Sequence, residues 1–209
     1  MEKLVAFGCG LAGYLEREGG DSGGGVVVAG GSRRLRRDAT RELGAGGLAA
    51  LAVGDHDSSS PTAGELLQAA AWLRLEVGSA RIGLVTIGAA ASASLALCRS
   101  NPELVAAVAL LDPLGLESGE LERVEGGLLT LQAHLPGTGP GPSPASIREQ
   151  ERLLLGRGVA AEFFVYPGAS PGFLEPEVPG YDRLAARQTW ERVSTLLLEE
   201  LEEEGPDLR

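Results

Sequence analysis

The chain has 209 residues, 44% of them hydrophobic, which is enough to fill the core of one globular domain and rules out wholesale disorder. Its 18 basic and 29 acidic residues leave a formal charge of −11, which argues against nucleic acid and anionic membrane as partners. No apolar run reaches the roughly 20 residues of a membrane-crossing helix, and Met1-Glu2-Lys3-Leu4 lacks the basic-then-apolar opening of a signal peptide. Two cysteines, Cys9 and Cys98, are too few for a disulfide framework, so the expected setting is a reducing cytoplasm with both thiols packed rather than reactive.

Short β-type runs alternate with helical ones along the chain. That pattern predicts an α/β fold, with a mainly parallel sheet of about eight strands and helices on both faces. Lys3–Phe7 and Leu11–Leu15, separated by Gly8-Cys9-Gly10, read as a hairpin at the sheet's edge. Val26–Gly30 follows, running into Gly30-Gly31-Ser32 and then a basic cluster, Arg33, Arg34, Arg36 and Arg37. After the strand Leu48–Val53, Thr62 and Glu65 form a capping box that opens a helix through about Leu75. Ile82–Ile87 and Val105–Leu111 are nearly all apolar, as expected of strands covered on both faces.

Leu128–Gln132 is the next predicted strand. Ser143-Pro144 gives an N-cap followed by proline at the first helical position, and Gly156 marks that helix's end. Glu162–Tyr166 completes the strands. A C-terminal helix carries Leu184, Trp190, Val193, Leu197 and Leu201 as its apolar stripe. Its end holds Glu199, Glu200, Glu202, Glu203 and Glu204, which oppose the helix dipole and predict a frayed end over about 199–209. With no internal repeat and no linker, residues 1–209 read as one domain.

The segment Arg81-Ile82-Gly83-Leu84-Val85-Thr86-Ile87-Gly88-Ala89-Ala90-Ala91-Ser92 runs from an apolar strand through small residues into a helix with Leu95, Ala96 and Leu97. This is the strand–turn–helix setting of a nucleophile elbow. Near the C-terminus stand Tyr166-Pro167-Gly168-Ala169-Ser170-Pro171-Gly172-Phe173, then Tyr181, Ala185-Ala186, Trp190 and Arg192. With Gly13-Tyr14-Leu15 and Pro102-Glu103-Leu104-Val105-Ala106-Ala107-Val108, these make the chain resemble the dienelactone hydrolase family of the α/β-hydrolase superfamily over about residues 10–198.

The resemblance implies an ester or lactone hydrolase, and it also implies that the catalytic residues are missing. The family's nucleophilic Cys falls on Gly88, its His on Pro171, and its acid, a few residues past the strand Leu128–Gln132, near Pro136. Such a hydrolase needs a nucleophile, a base to deprotonate it and an acid to orient the base. Loss of one lowers the rate by orders of magnitude. Backbone donors survive side-chain replacement, so Ala89 and the Gly30, Gly31 and Ser32 turn can still bind a small anionic or carbonyl ligand. The family's loop is shortened between Asp55 and Thr62, which predicts a shallower, more open site.

Displaced chemistry is the alternative. Ser92 lies just past the elbow, and His56, His134 and Asp112 follow predicted strands, where ligands bind in parallel sheets. No ligand spacing such as His-x-x-x-His points to a metal, and no cofactor is expected. The basic cluster Arg33, Arg34, Arg36 and Arg37 is the candidate docking surface for a protein partner or a second copy of the chain. The sequence therefore predicts a hydrolase-like protein that has lost hydrolysis and binds or scaffolds, with a divergent ester or lactone hydrolase as the alternative.

Overall fold

The structure, a computed structural model of the chain, describes residues 2–7, 11–17, 24–54, 60–113, 121, 124, 129–139 and 142–202. Eight strands form one sheet: β1 (Glu2–Phe7), β2 (Leu11–Glu16), β3 (Gly25–Gly30), β4 (Ala49–Val53), β5 (Ile82–Ile87), β6 (Val105–Leu111), β7 (Thr130–Pro136) and β8 (Ala160–Tyr166). Their spatial order is β1-β2-β4-β3-β5-β6-β7-β8. β1 pairs with β2, and β2 with β4, antiparallel, while every pairing from β4 to β8 is parallel. The expected hairpin thus forms one edge of a mainly parallel sheet.

Among the described residues the covering helices are α1 (Arg33–Ala45), α2 (Ala63–Val77), α3 (Ala91–Ser100), α4 (Pro144–Gly156) and α5 (Arg183–Glu202). α2, α3 and α4 bury Leu66, Leu95 and Leu154 in the core layer that also holds Val27, Ala29, Leu84 and Val108. α1 and α5 bury Leu35, Leu43, Val193 and Leu197 in the opposite layer with Val26, Val28, Val85 and Ala109. Alternate residues of each central strand feed opposite layers, which is why those strands read as unbroken apolar runs.

The caps form as predicted. Thr62 Oγ1 accepts from the Glu65 N–H while the Glu65 carboxylate accepts from the Thr62 N–H, and Ser143 caps α4 with Pro144 at its first position. Two sequence readings need correction. β7 extends four residues beyond Gln132, so His134 lies within the strand and Pro136 ends it. On α5, Val193, Leu197 and Leu201 are buried, but Leu184 is 56% exposed and Trp190 is only half-buried. The buried face instead uses Ala185, Ala186 and Thr189, small residues that bring the helix close to the sheet. Gly83 marks that approach: a Cβ there would stand 2.4 Å from Leu197 Cδ1's sister methyl carbon, Cδ2. The acidic end beyond Glu202 lies outside the described residues, as does Cys9. Cys98 is buried in the α3 layer, and burial pushes its thiol up to about 12.

Candidate functional site

At the carboxyl ends of β3, β5 and β6 lies an open cavity of about 560 Å³. Gly30, Gly31 and Ser32 line it after β3, Ile87, Gly88 and Ala89 after β5, and Asp112 after β6. The segment Pro171–Val178 supplies another wall through Pro171, Gly172, Leu174, Glu175 and Val178, and Ser60 completes the lining. Gly88 and Pro171, more than eighty residues apart, therefore meet at one cavity.

Each wall has a local cause. β5 ends at Ile87, and Gly88 turns the chain with φ 64°, a left-handed value that glycine adopts without the clash a Cβ suffers. The turn Gly88–Ala90 leads directly into α3, so the Ala89 N–H belongs to the first turn, where no intrahelical acceptor exists. Gly30 has φ 80°, and a Cβ on it would come within 2.1 Å of the Ile87 carbonyl oxygen. The ends of β3 and β5 thus approach through glycine alone.

Ser32 is the N-cap of α1: its Oγ accepts from the Leu35 N–H at 3.1 Å. The Ser32 N–H donates at 2.8 Å to Oε1 of Glu175. The segment bearing Glu175 is fixed by Phe173 and Leu174, both buried, and by the Asp182 N–H donating to the Phe173 carbonyl at 3.0 Å. Arg34 ties it to α1 a second time through Glu177.

Asp112 holds the far wall. It has φ 45°, the single positive value among the described non-glycine residues, and its N–H donates to the His134 carbonyl at 2.9 Å. Asp112 Oδ2 accepts from the Gly172 N–H at 2.5 Å, and burial raises its carboxyl above the usual range, the Gly172 bond offsetting part of the shift.

The other sequence candidates are not brought together. His134 is fully buried in the layer beneath α5 and is not among the cavity's lining residues. Its Nδ1 lies 2.8 Å from the Tyr166 hydroxyl and its Nε2 3.3 Å from Gln132 Oε1. Because that amide oxygen only accepts, Nε2 carries the proton and Nδ1 accepts from Tyr166. Desolvation, with the charge of Arg192 adding to it, lowers the imidazole to about 3. A base that deeply buried and that weak cannot serve a nucleophile at the strand ends. Ser92 is the second residue of α3, half-buried and not among the lining residues either. Pro136 ends β7 opposite Tyr166, also away from the lining. His56 and residues 55–59 of the shortened loop lie outside the described residues, while Ser60 at its end lines the cavity. Among the described residues no group of three or more His, Cys, Asp or Glu gathers to hold a metal ion.

The basic cluster divides. Arg33 and Arg37 stand over the Tyr14 ring at 5.4 and 5.2 Å, and Arg34 is exposed and paired with Glu177. Arg36 is 2% exposed, and its guanidinium donates to the carbonyls of Gly31 at 2.7 Å and of Gly30 and Gly54 at 3.3 Å. It ties together the ends of β3 and β4 and takes no part in a docking surface. The signal was present in the sequence: Arg36 shares its helix face with Thr40 and Leu43, both buried.

A sequence profile of the dienelactone hydrolase family matches residues 59–201. The chain belongs to that family. The same fold appears in a dienelactone hydrolase-like promiscuous phosphotriesterase from metagenomic libraries, with a TM-score of 0.77, 18% identity, and 96% of this chain and 98% of that one covered. Dienelactone hydrolase from Anabaena variabilis matches with a TM-score of 0.72 and 21% identity over 96% and 98% of the two chains. Thermogutta terrifontis esterase 2 does so at 0.73 and 16% over 95% and 94%. None of the curated proteins compared with the chain matches it. At these identities the likeness to solved structures is one of fold. No helix among the described residues is long and apolar enough to cross a membrane.

Sequence reasoning missed Glu175 and Ser60. Glu175 lies two residues beyond the family-like stretch ending at Phe173, and nothing local distinguishes it from a surface acid. Its role depends on a contact across 143 residues.

Proposed function

We propose that this dienelactone hydrolase-family protein has lost hydrolysis and uses its cavity to bind a small carbonyl-bearing molecule without cleaving it. The observation that carries the reading is glycine at residue 88, the left-handed position where strand β5 turns into the helix. A nucleophile placed there would face the cavity; glycine offers no atom to attack a carbonyl. Pro171 supports the same reading, because its ring nitrogen is an amide and can neither take nor give a proton. Asp112 is committed to the Gly172 N–H, and His134 is neutral and buried.

Binding without reaction uses what remains. The Ala89 N–H at the helix start suits a carbonyl oxygen, and Leu174, Val178 and Ile87 give apolar walls. The scaffold side of the reading rests on Arg33, Arg34 and Arg37, a basic rim on an acidic chain that suits an acidic protein surface. Triple reversal to Glu is expected to weaken any association and its salt dependence.

The test is titration of uniformly 15N-labelled protein with γ-butyrolactone, followed by amide spectra and by the lactone's own signals. Saturable shifts at Gly31 and Ala89 with intact lactone support the reading. Conversion to the hydroxy acid at a rate above that of buffer contradicts it.

A further inference from the structure

We propose that Glu175 is a tethered anion that fills the anion seat of the cavity, so that the site turns away carboxylates and takes uncharged ligands. The inference rests on the reading of the cavity as a binding site and adds the charge class of its ligand.

The N-terminus of α1, a helix of 13 residues, carries partial positive charge, and its cap Ser32 lines the cavity. Such a terminus attracts an anion, and here it already holds one from its own chain. Glu175 Oε1 accepts the Ser32 N–H at 2.8 Å, the very donor that the turn after β3 would offer to an oxyanion. Gly31, with φ 64°, lies beside the carboxylate: a Cβ on it would stand 3.4 Å from Oε1, at ordinary contact distance.

The occupant is preorganised. The Glu175 N–H donates to the Gly172 carbonyl at 2.9 Å, its carbonyl accepts from Val178 at 3.0 Å, and Leu174 beside it is buried. Glu177 on the same segment reaches Arg34 on α1. Holding Glu175 at the seat therefore requires little further ordering. A carboxylate ligand entering the cavity would meet a lost donor and two like charges, Glu175 and Asp112, both on its walls. An uncharged carbonyl meets no such repulsion and can still use the Ala89 N–H.

Sodium acetate and γ-butyrolactone, titrated at constant ionic strength into wild type, Glu175→Ala and Glu175→Gln, test this by the Ser32 amide shift. Glu175→Ala is expected to bind acetate at least about tenfold more tightly than wild type, while lactone affinity changes by less than about threefold. Glu175→Gln keeps an acceptor on the Ser32 N–H without the charge and is expected to fall between them, which preserves the test if the alanine variant unfolds. Wild type binding acetate as tightly as a folded Glu175 variant overturns the inference. If none of the three proteins binds the lactone while the variants gain acetate, the inference stands and the binding function proposed above falls.

Discussion

Asp112 Oδ2 accepts the Gly172 N–H at 2.5 Å, so the end of β6 is joined to the residue next to Pro171. This carboxylate sits at a left-handed backbone position beside a cavity, in surroundings that favour its protonated form. The folded state therefore binds that proton more tightly than the unfolded chain does. The resulting stabilisation is present at low pH and is lost as pH rises through the folded-state value.

Replacing Asp112 by Asn should raise stability at pH 7 by about 0.5–1 kcal/mol, since the amide oxygen still accepts from Gly172 and Asn tolerates the left-handed backbone. The gain should vanish near pH 3, where the wild-type carboxyl is protonated. Urea unfolding at both pH values checks this, and an Asn variant less stable at pH 7 would contradict it.

His134 gives the opposite pH signature. Its folded-state value of about 3 lies below the usual 6.5, so stability is intact above pH 6.5 and falls as acid protonates the unfolded chain. Burial this complete places the loss on the order of 4 kcal/mol by pH 3. In His134→Gln the amide can still bridge Tyr166 and Gln132, and the acid-induced fall between pH 6.5 and 4 should shrink by several kcal/mol. Nitrogen NMR should find the Nε2–H tautomer unchanged down to pH 4.5.

Gly30→Ala should destabilise by more than about 3 kcal/mol, because the new Cβ meets the Ile87 carbonyl oxygen, a backbone atom that cannot swing away. Gly47 has φ 95° but open space around it, so Gly47→Ala should cost about 1 kcal/mol. Comparing the two by thermal unfolding separates close approach from backbone strain.

Arg36→Ala should lower stability by about 2–4 kcal/mol, leaving the Gly30, Gly31 and Gly54 carbonyls without their shared donor. Arg34→Ala, which removes an exposed ion pair, should change it by less than about 1 kcal/mol. Similar losses in the two variants would contradict the division of the arginine cluster.

The sheet was readable from the sequence because burial on both faces makes apolar runs, and the caps of α2 and α4 because Thr62/Glu65 and Ser143-Pro144 act within one turn. The sequence understates the length of β7 for a physical reason: His134 looks like a loop residue until Tyr166 and Gln132 satisfy both its nitrogens, and Tyr166 comes from a neighbouring strand. Leu184 looked like part of a buried stripe, but small residues on the adjoining face decide how α5 packs. Gly88 and Pro171 stand out through motif spacing and line one cavity, whereas the Glu175 contact with Ser32 is long-range and leaves no local pattern.

The central claim, that the cavity binds without hydrolysing, is tested most directly by incubating the protein with a serine-reactive fluorophosphonate and p-nitrophenyl acetate, reading intact mass and initial rate. The account predicts no mass increment and a rate equal to that of buffer. Stoichiometric labelling at Ser60 or Ser92, with turnover abolished by alanine at the labelled serine, would contradict it.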